Sequence, residues 1–73
     1  MEIRLNIDDD FIKNLKDKLN ESKISTITTD ALTILNWAAD EAKNGRVILS
    51  TDKEGENVKQ LAMPSLDKIP KPQ

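Results

Sequence analysis

The chain has no cysteine, no histidine and no tyrosine, and its aromatic residues are Phe11 and Trp37 alone. Without cysteine no disulfide can staple the fold, and with histidine also missing the usual structural zinc sites are excluded. The same absences remove the ordinary nucleophile–base pairs and the imidazole acid/base. A carboxylate pair is formally available, but a chain this short has little room to desolvate one, so no enzymatic activity, no cofactor and no metal are expected. No apolar run is long enough to span a bilayer, which takes about 18 residues or more, and no membrane association is expected. The opening Met1-Glu2-Ile3-Arg4 carries an acid and no apolar core of a signal peptide. Cytoplasmic residence is the expectation.

What remains is a small, charged chain. Its 73 residues make one small domain at most, with 37% hydrophobic and 33% charged residues. A domain of this size buries only about 60% of its extended surface when it folds alone. Self-association is therefore expected as a way to enlarge the core. The net charge of −2 and the pI near 5.0 are not those of a general nucleic-acid binder. The charge is uneven, however. Glu2, Asp8, Asp9 and Asp10 outweigh Arg4 at the start, whereas Lys13, Lys16, Lys18 and Lys23 outweigh Asp17 and Glu21 in the next stretch. Any attraction to phosphate must come from local patches.

Along the chain, Ile3, Leu5 and Ile7 alternate with Glu2, Arg4 and Asn6. That period of two predicts a half-buried strand over Met1–Ile7. Asp8 ends it and suits the N-cap of a helix over Asp9–Asn20, where Phe11, Ile12, Leu15 and Leu19 share one face. The run Asp8-Asp9-Asp10 is read as capping, because sequential aspartates do not converge on one ion and the spacing of an EF-hand loop is missing. After a short polar link, a long helix is predicted over Thr26–Asn44 with Ser25 as N-cap. Ile27, Ala31, Ile34, Leu35, Ala38 and Ala42 line its apolar face, Trp37 flanks it, and Gly45 stops it. Trp37 suits a core or dimer interface better than a ligand platform. Arg46–Met63 predicts a β-hairpin: a first strand over Arg46–Thr51, a turn at Asp52-Lys53-Glu54-Gly55, and a second strand over Asn57–Met63. All three prolines fall in Pro64–Gln73, which is expected to be a disordered tail.

A lone strand leaves its backbone groups unpaired, so it must ladder onto a second chain or onto the hairpin. The order strand, short helix, long helix, with a wide apolar stripe on the second helix, favours the second chain. In this order the sequence resembles the ribbon-helix-helix regulators of the Arc/MetJ type. The resembling residues are Glu2-Ile3-Arg4-Leu5-Asn6-Ile7, then Asp8–Leu19, then Ser25-Thr26-Ile27-Thr28-Thr29-Asp30-Ala31-Leu32, which looks like that family's second-helix opening. The stretch from Trp37 through Leu49 looks like a subset of small members that append a β segment.

The resemblance implies an α+β fold: an intertwined strand-helix-helix homodimer over residues 1–45, a β-hairpin extension over 46–63, and the tail over 64–73. It implies a transcriptional regulator whose antiparallel ribbon enters the major groove of double-stranded DNA. Carried over by position, Arg4 would face guanine, Asn6 adenine and Glu2 cytosine. Lys23, Ser25, Thr26 and Ile27 would anchor a phosphate at the second helix's N-terminus. Ile3, Leu5, Ile7, Ile34, Leu35, Trp37 and Ala38 would form the dimer interface. One cation per ribbon strand is sparse for such a reader. The rival expectation is protein–protein recognition. Such domains often form the front half of antitoxins, and residues 46–73 are long enough to bind a toxin or another partner protein, in an antitoxin-like or adaptor role.

Overall fold

In the computed structural model, which describes residues 1–70, the first regular element is a helix. α1 (Asp9–Leu19) starts where the Asp8 side chain accepts the Phe11 N–H at 3.0 Å. That bond satisfies one of the donors a helix start leaves free. Asp9 and Asp10 stand in its first turn and Lys16 and Lys18 in its last, each sign matched to the helix dipole. Asn20 ends α1 in the left-handed region, at φ 52°. Its N–H turns back to the Asp17 carbonyl, and the Glu21 N–H reaches the Lys16 carbonyl at 3.0 Å. These bonds satisfy carbonyls that would otherwise be orphaned.

α2 (Ile24–Lys43) has 20 residues. It begins two positions before the expected start, so Ser25 lies inside the first turn and is not the N-cap. Its end follows the sequence signal. Gly45 takes φ 75°, with its N–H on the Ala42 carbonyl at 3.0 Å and the Arg46 N–H on the Glu41 carbonyl at 3.0 Å. A side chain at Gly45 would strain that left-handed backbone.

Two short antiparallel strands follow, β1 (Leu49–Ser50) and β2 (Lys59–Gln60), with Leu49 opposite Gln60 and Ser50 opposite Lys59. The Leu61 N–H on the Ile48 carbonyl, at 2.8 Å, extends the ladder. α3 (Pro64–Asp67) closes the described chain. The expected tail over 64–73 is thus corrected at its start. Proline lacks only an N–H that a helix leaves free at its first position, and Pro64 opens a helical turn there. Residues 71–73 lie outside the described residues.

The order α1-α2-β1-β2-α3 corrects the ribbon-helix-helix expectation. Met1–Asp8 forms no strand, and Ile3, Leu5 and Ile7 are 58%, 68% and 42% exposed. A strand exists only through a ladder, and among the described residues β1 and β2 pair with each other and not with Met1–Asp8. With no N-terminal ribbon, the element expected to enter the DNA groove is missing. The intermolecular sheet of the expected homodimer is replaced by an intramolecular hairpin. The readings as a DNA-binding regulator, as a repressor and as a ribbon-built dimer fall together.

The chain divides into two units, Met1–Ala31 and the chain from Leu32 onward. Among the described residues the buried hydrophobic side chains are one in each: Ile27, 5% exposed, in the first and Ala38, 3% exposed, in the second.

Candidate functional site

The hairpin of the second unit carries exposed apolar side chains in a defined register. Its face pattern follows from the register. Successive strand residues point to opposite faces, and residues directly opposite share one. Ile48 and Leu61 therefore share a face, and Leu49 and Gln60 share the other. Carried outward by the same alternation, Val47 and Val58 join Leu49. Ile48 is half-buried, whereas Leu61 opposite it is 42% exposed. Both line a recess of about 70 Å³ together with Ala42, Leu66, Val47 and Gln60. Val47, Leu49 and Val58 are 53%, 51% and 56% exposed. β-branched and aliphatic side chains of this kind lose hydration favourably, at roughly 25 cal/mol per Å² covered.

The recess is too small for a metabolite, since ligand pockets run to about 300–1,000 Å³. Its rim carries Arg46, whose Nε lies 2.8 Å from Glu41 Oε2. This pair ties the exit of α2 to the start of the hairpin. Among the described residues no group of three or more histidine, cysteine, aspartate or glutamate side chains is placed to hold a metal ion. Nor is any helix among them long and apolar enough to cross a membrane.

The turn is built on one carboxylate. Asp52 Oδ1 accepts the N–H groups of Glu56 at 2.8 Å and Glu54 at 3.2 Å, and Oδ2 accepts the Asn57 side-chain amide at 2.7 Å. The Asp52 N–H in turn donates to the Glu56 carbonyl at 3.0 Å, and the Gly55 N–H to the Asp52 carbonyl at 3.1 Å. Gly55 and Asn57 supply the left-handed residues, at φ 78° and 56°, and both types tolerate that region. The Glu56 N–H, then the Asn57 amide, hold the Asp52 carboxyl below its ordinary value of 3.8, because each donor favours the charged form. Lys53, Glu54 and Glu56 are left exposed on this turn.

The residues expected to read or grip DNA lie on two different stretches, before α1 and at the start of α2. Glu2, Arg4 and Asn6 are exposed on a segment with no strand and so share no sheet face. Lys23 immediately precedes α2, and Ser25 and Thr26 sit in its first turn. The Ile27 N–H is already used by the Lys23 carbonyl at 3.3 Å, and its side chain is buried. Of the expected dimer residues, Ala38 is buried within its own chain and offers no outward surface, whereas Ile34, Leu35 and Trp37 are exposed on α2. The sequence pattern marks Asp52 as a turn residue and does not by itself show this network. Its signal is an aspartate followed by glycine three positions on and asparagine five on. Such a side chain can cap its own loop.

No protein-family model matches the chain, and no curated protein and no solved structure matches it.

Proposed function

We propose that this chain is a non-catalytic adaptor that binds a partner protein through the segment 46–73. One observation carries the proposal. The hairpin leaves Val47, Leu49 and Val58, three apolar side chains of one face, each more than half exposed on a sheet of two strands. A two-stranded sheet in water is marginal on its own. It gains both apolar cover and ladder bonds when another protein docks on it. An antitoxin-like role would be one form of the same reading, with a toxin as the partner, and either form rests on the hairpin. The proposed setting is the cytoplasm.

The experiment places a photo-crosslinking residue at Val47, Leu49 or Val58, with Lys13 on α1 as the comparison, in cells that express the chain naturally. The expected result is one heteromeric adduct from the hairpin positions, lost when Leu49→Asp is added at a distance from the probe at Val58. Equal adducts from Lys13, or adducts only with further copies of this chain, would overturn the proposal.

A further inference from the structure

The hairpin has two edges, and they are not equivalent. In an antiparallel ladder, directly opposed residues alternate between pairs that exchange hydrogen bonds and pairs whose N–H and C=O groups point away from each other. The Leu61 N–H on the Ile48 carbonyl makes Ile48 and Leu61 a bonded pair. Leu49 and Gln60, one step along, are then a pair of the other kind. The main-chain groups of Leu49 are aimed off the free side of β1, and those of Gln60 off the free side of β2.

Unpaired edges invite another strand, and proteins usually blunt them with lysine, proline or a bulge. β2 is blunted in this manner. It carries Lys59, it is preceded by left-handed Asn57, and Pro64 follows it closely. β1 is not. Val47-Ile48-Leu49-Ser50-Thr51 has no charge, no proline and no glycine, and it is rich in residues that favour strands. Leu49 and Ser50 are exposed along it.

The end of that edge also has a charge. The turn Asp52–Glu56 contains Asp52, Glu54 and Glu56 against Lys53. The Asp52 carboxylate is occupied by the turn's own donors, which leaves the exposed Glu54 and Glu56 to face a visitor.

We infer that the edge of β1 accepts an extended strand from the partner protein, with apolar side chains at alternate positions and lysine or arginine at the end lying beside the Asp52–Glu56 turn. This rests on the adaptor reading of segment 46–73 and specifies its partner. The strand's main chain bonds to Leu49 and its neighbours, its apolar side chains extend the Val47 and Leu49 face, and its basic end meets Glu54 and Glu56. Main-chain bonds supply the pairing, and the alternate side chains and the charge supply the choice of partner.

The test uses the full chain and a synthetic peptide of alternating valine and threonine that ends in two lysines. Amide hydrogen exchange is followed by NMR. The expected result is exchange about tenfold slower at Leu49 and Thr51, with little change at Val58 and Gln60. A peptide methylated on alternate backbone nitrogens should give no protection. Glu54→Gln with Glu56→Gln should weaken the lysine-ended peptide several-fold and leave a serine-ended one unchanged. Protection at Val58 and Gln60 in place of Leu49 would overturn the choice of edge. No protection at either edge, in a chain whose hairpin positions still crosslink a partner in cells, would overturn strand addition while the adaptor reading stands. Failure of both experiments would remove both.

Discussion

Glu56 donates its main-chain N–H to Asp52 Oδ1 at 2.8 Å, and the Asp52 N–H donates back to the Glu56 carbonyl at 3.0 Å. The two residues thereby close the loop that carries the chain from β1 to β2. Asp52→Ala removes three acceptor bonds at once and should open the hairpin. The Leu49–Gln60 cross-strand contacts should vanish from NMR spectra while the helical signal of α1 and α2 is retained. Asp52→Asn keeps one acceptor oxygen and should lose less.

The same carboxylate makes the hairpin sensitive to acid. Its titration lies below the ordinary value of 3.8 because the Glu56 N–H and the Asn57 amide favour the charged form. A group with a lowered folded pKa contributes stability that is fully present above its unfolded pKa and lost as pH falls through the folded one. The hairpin should therefore hold at pH 6 and above and weaken progressively as pH falls below about 4. The Glu56 amide shift reports it. In Asp52→Asn the acid step in that shift should be absent.

The ends of α1 should respond by type. Asp8→Ala deletes the bond to the Phe11 N–H and should cost about 1 kcal/mol of helix stability, whereas Asp8→Ser should be close to neutral. At Asn20, held at φ 52°, glycine should be tolerated. Valine should cost about 1–2 kcal/mol, because its branched Cβ meets the backbone in the left-handed region. Circular dichroism during urea titration measures both.

Burial separates two isoleucines of α2. Ile27 is 5% exposed and Ile34 is 64% exposed. Ile27→Ala should cost about 2–5 kcal/mol through lost burial and the cavity left behind. Ile34→Ala should fall within about 0.5 kcal/mol of the parent chain. Equal effects would mean that Ile34 is covered in solution.

The Arg46–Glu41 ion pair should be worth little. Its guanidinium side is largely exposed, and such pairs contribute about 0–1 kcal/mol and are screened by salt. A double-mutant cycle of Arg46→Ala with Glu41→Ala should give a coupling in that range at low salt that fades near molar salt.

The two helices were legible because their signals are local. Asp8 before an acidic first turn, the spacing of Phe11, Ile12, Leu15 and Leu19, and Gly45 after Asn44 each act within one or two turns of chain. The start of α2 was read two residues late, because Ser25 is a favoured cap residue and Ile24 is not, yet the helix begins at Ile24. The N-terminal strand failed for a non-local reason. Alternation at Ile3, Leu5 and Ile7 states a preference, but a strand also needs a ladder partner, and periodicity carries no information about one. At Pro64 the neighbours mislead: Pro70 and Pro72 suggest a tail, whereas a single proline can equally open a helix. At the candidate site the turn glycine was visible, but the Asp52 network was not, since it depends on an asparagine five positions away reaching back across the loop.

The pairing of Ser50 with Lys59 joins residues that are near neighbours along the chain. Contacts so local close quickly, within about 1–10 μs for a hairpin, and reopen quickly when the ladder is short. Capture of a partner at this element would then be paced by diffusion and by the partner's abundance, since the receiving shape re-forms many times during each encounter interval. It would also be free to diverge, because changes between Val47 and Leu61 would alter partner choice and leave the caps of α1 and the end of α2 untouched.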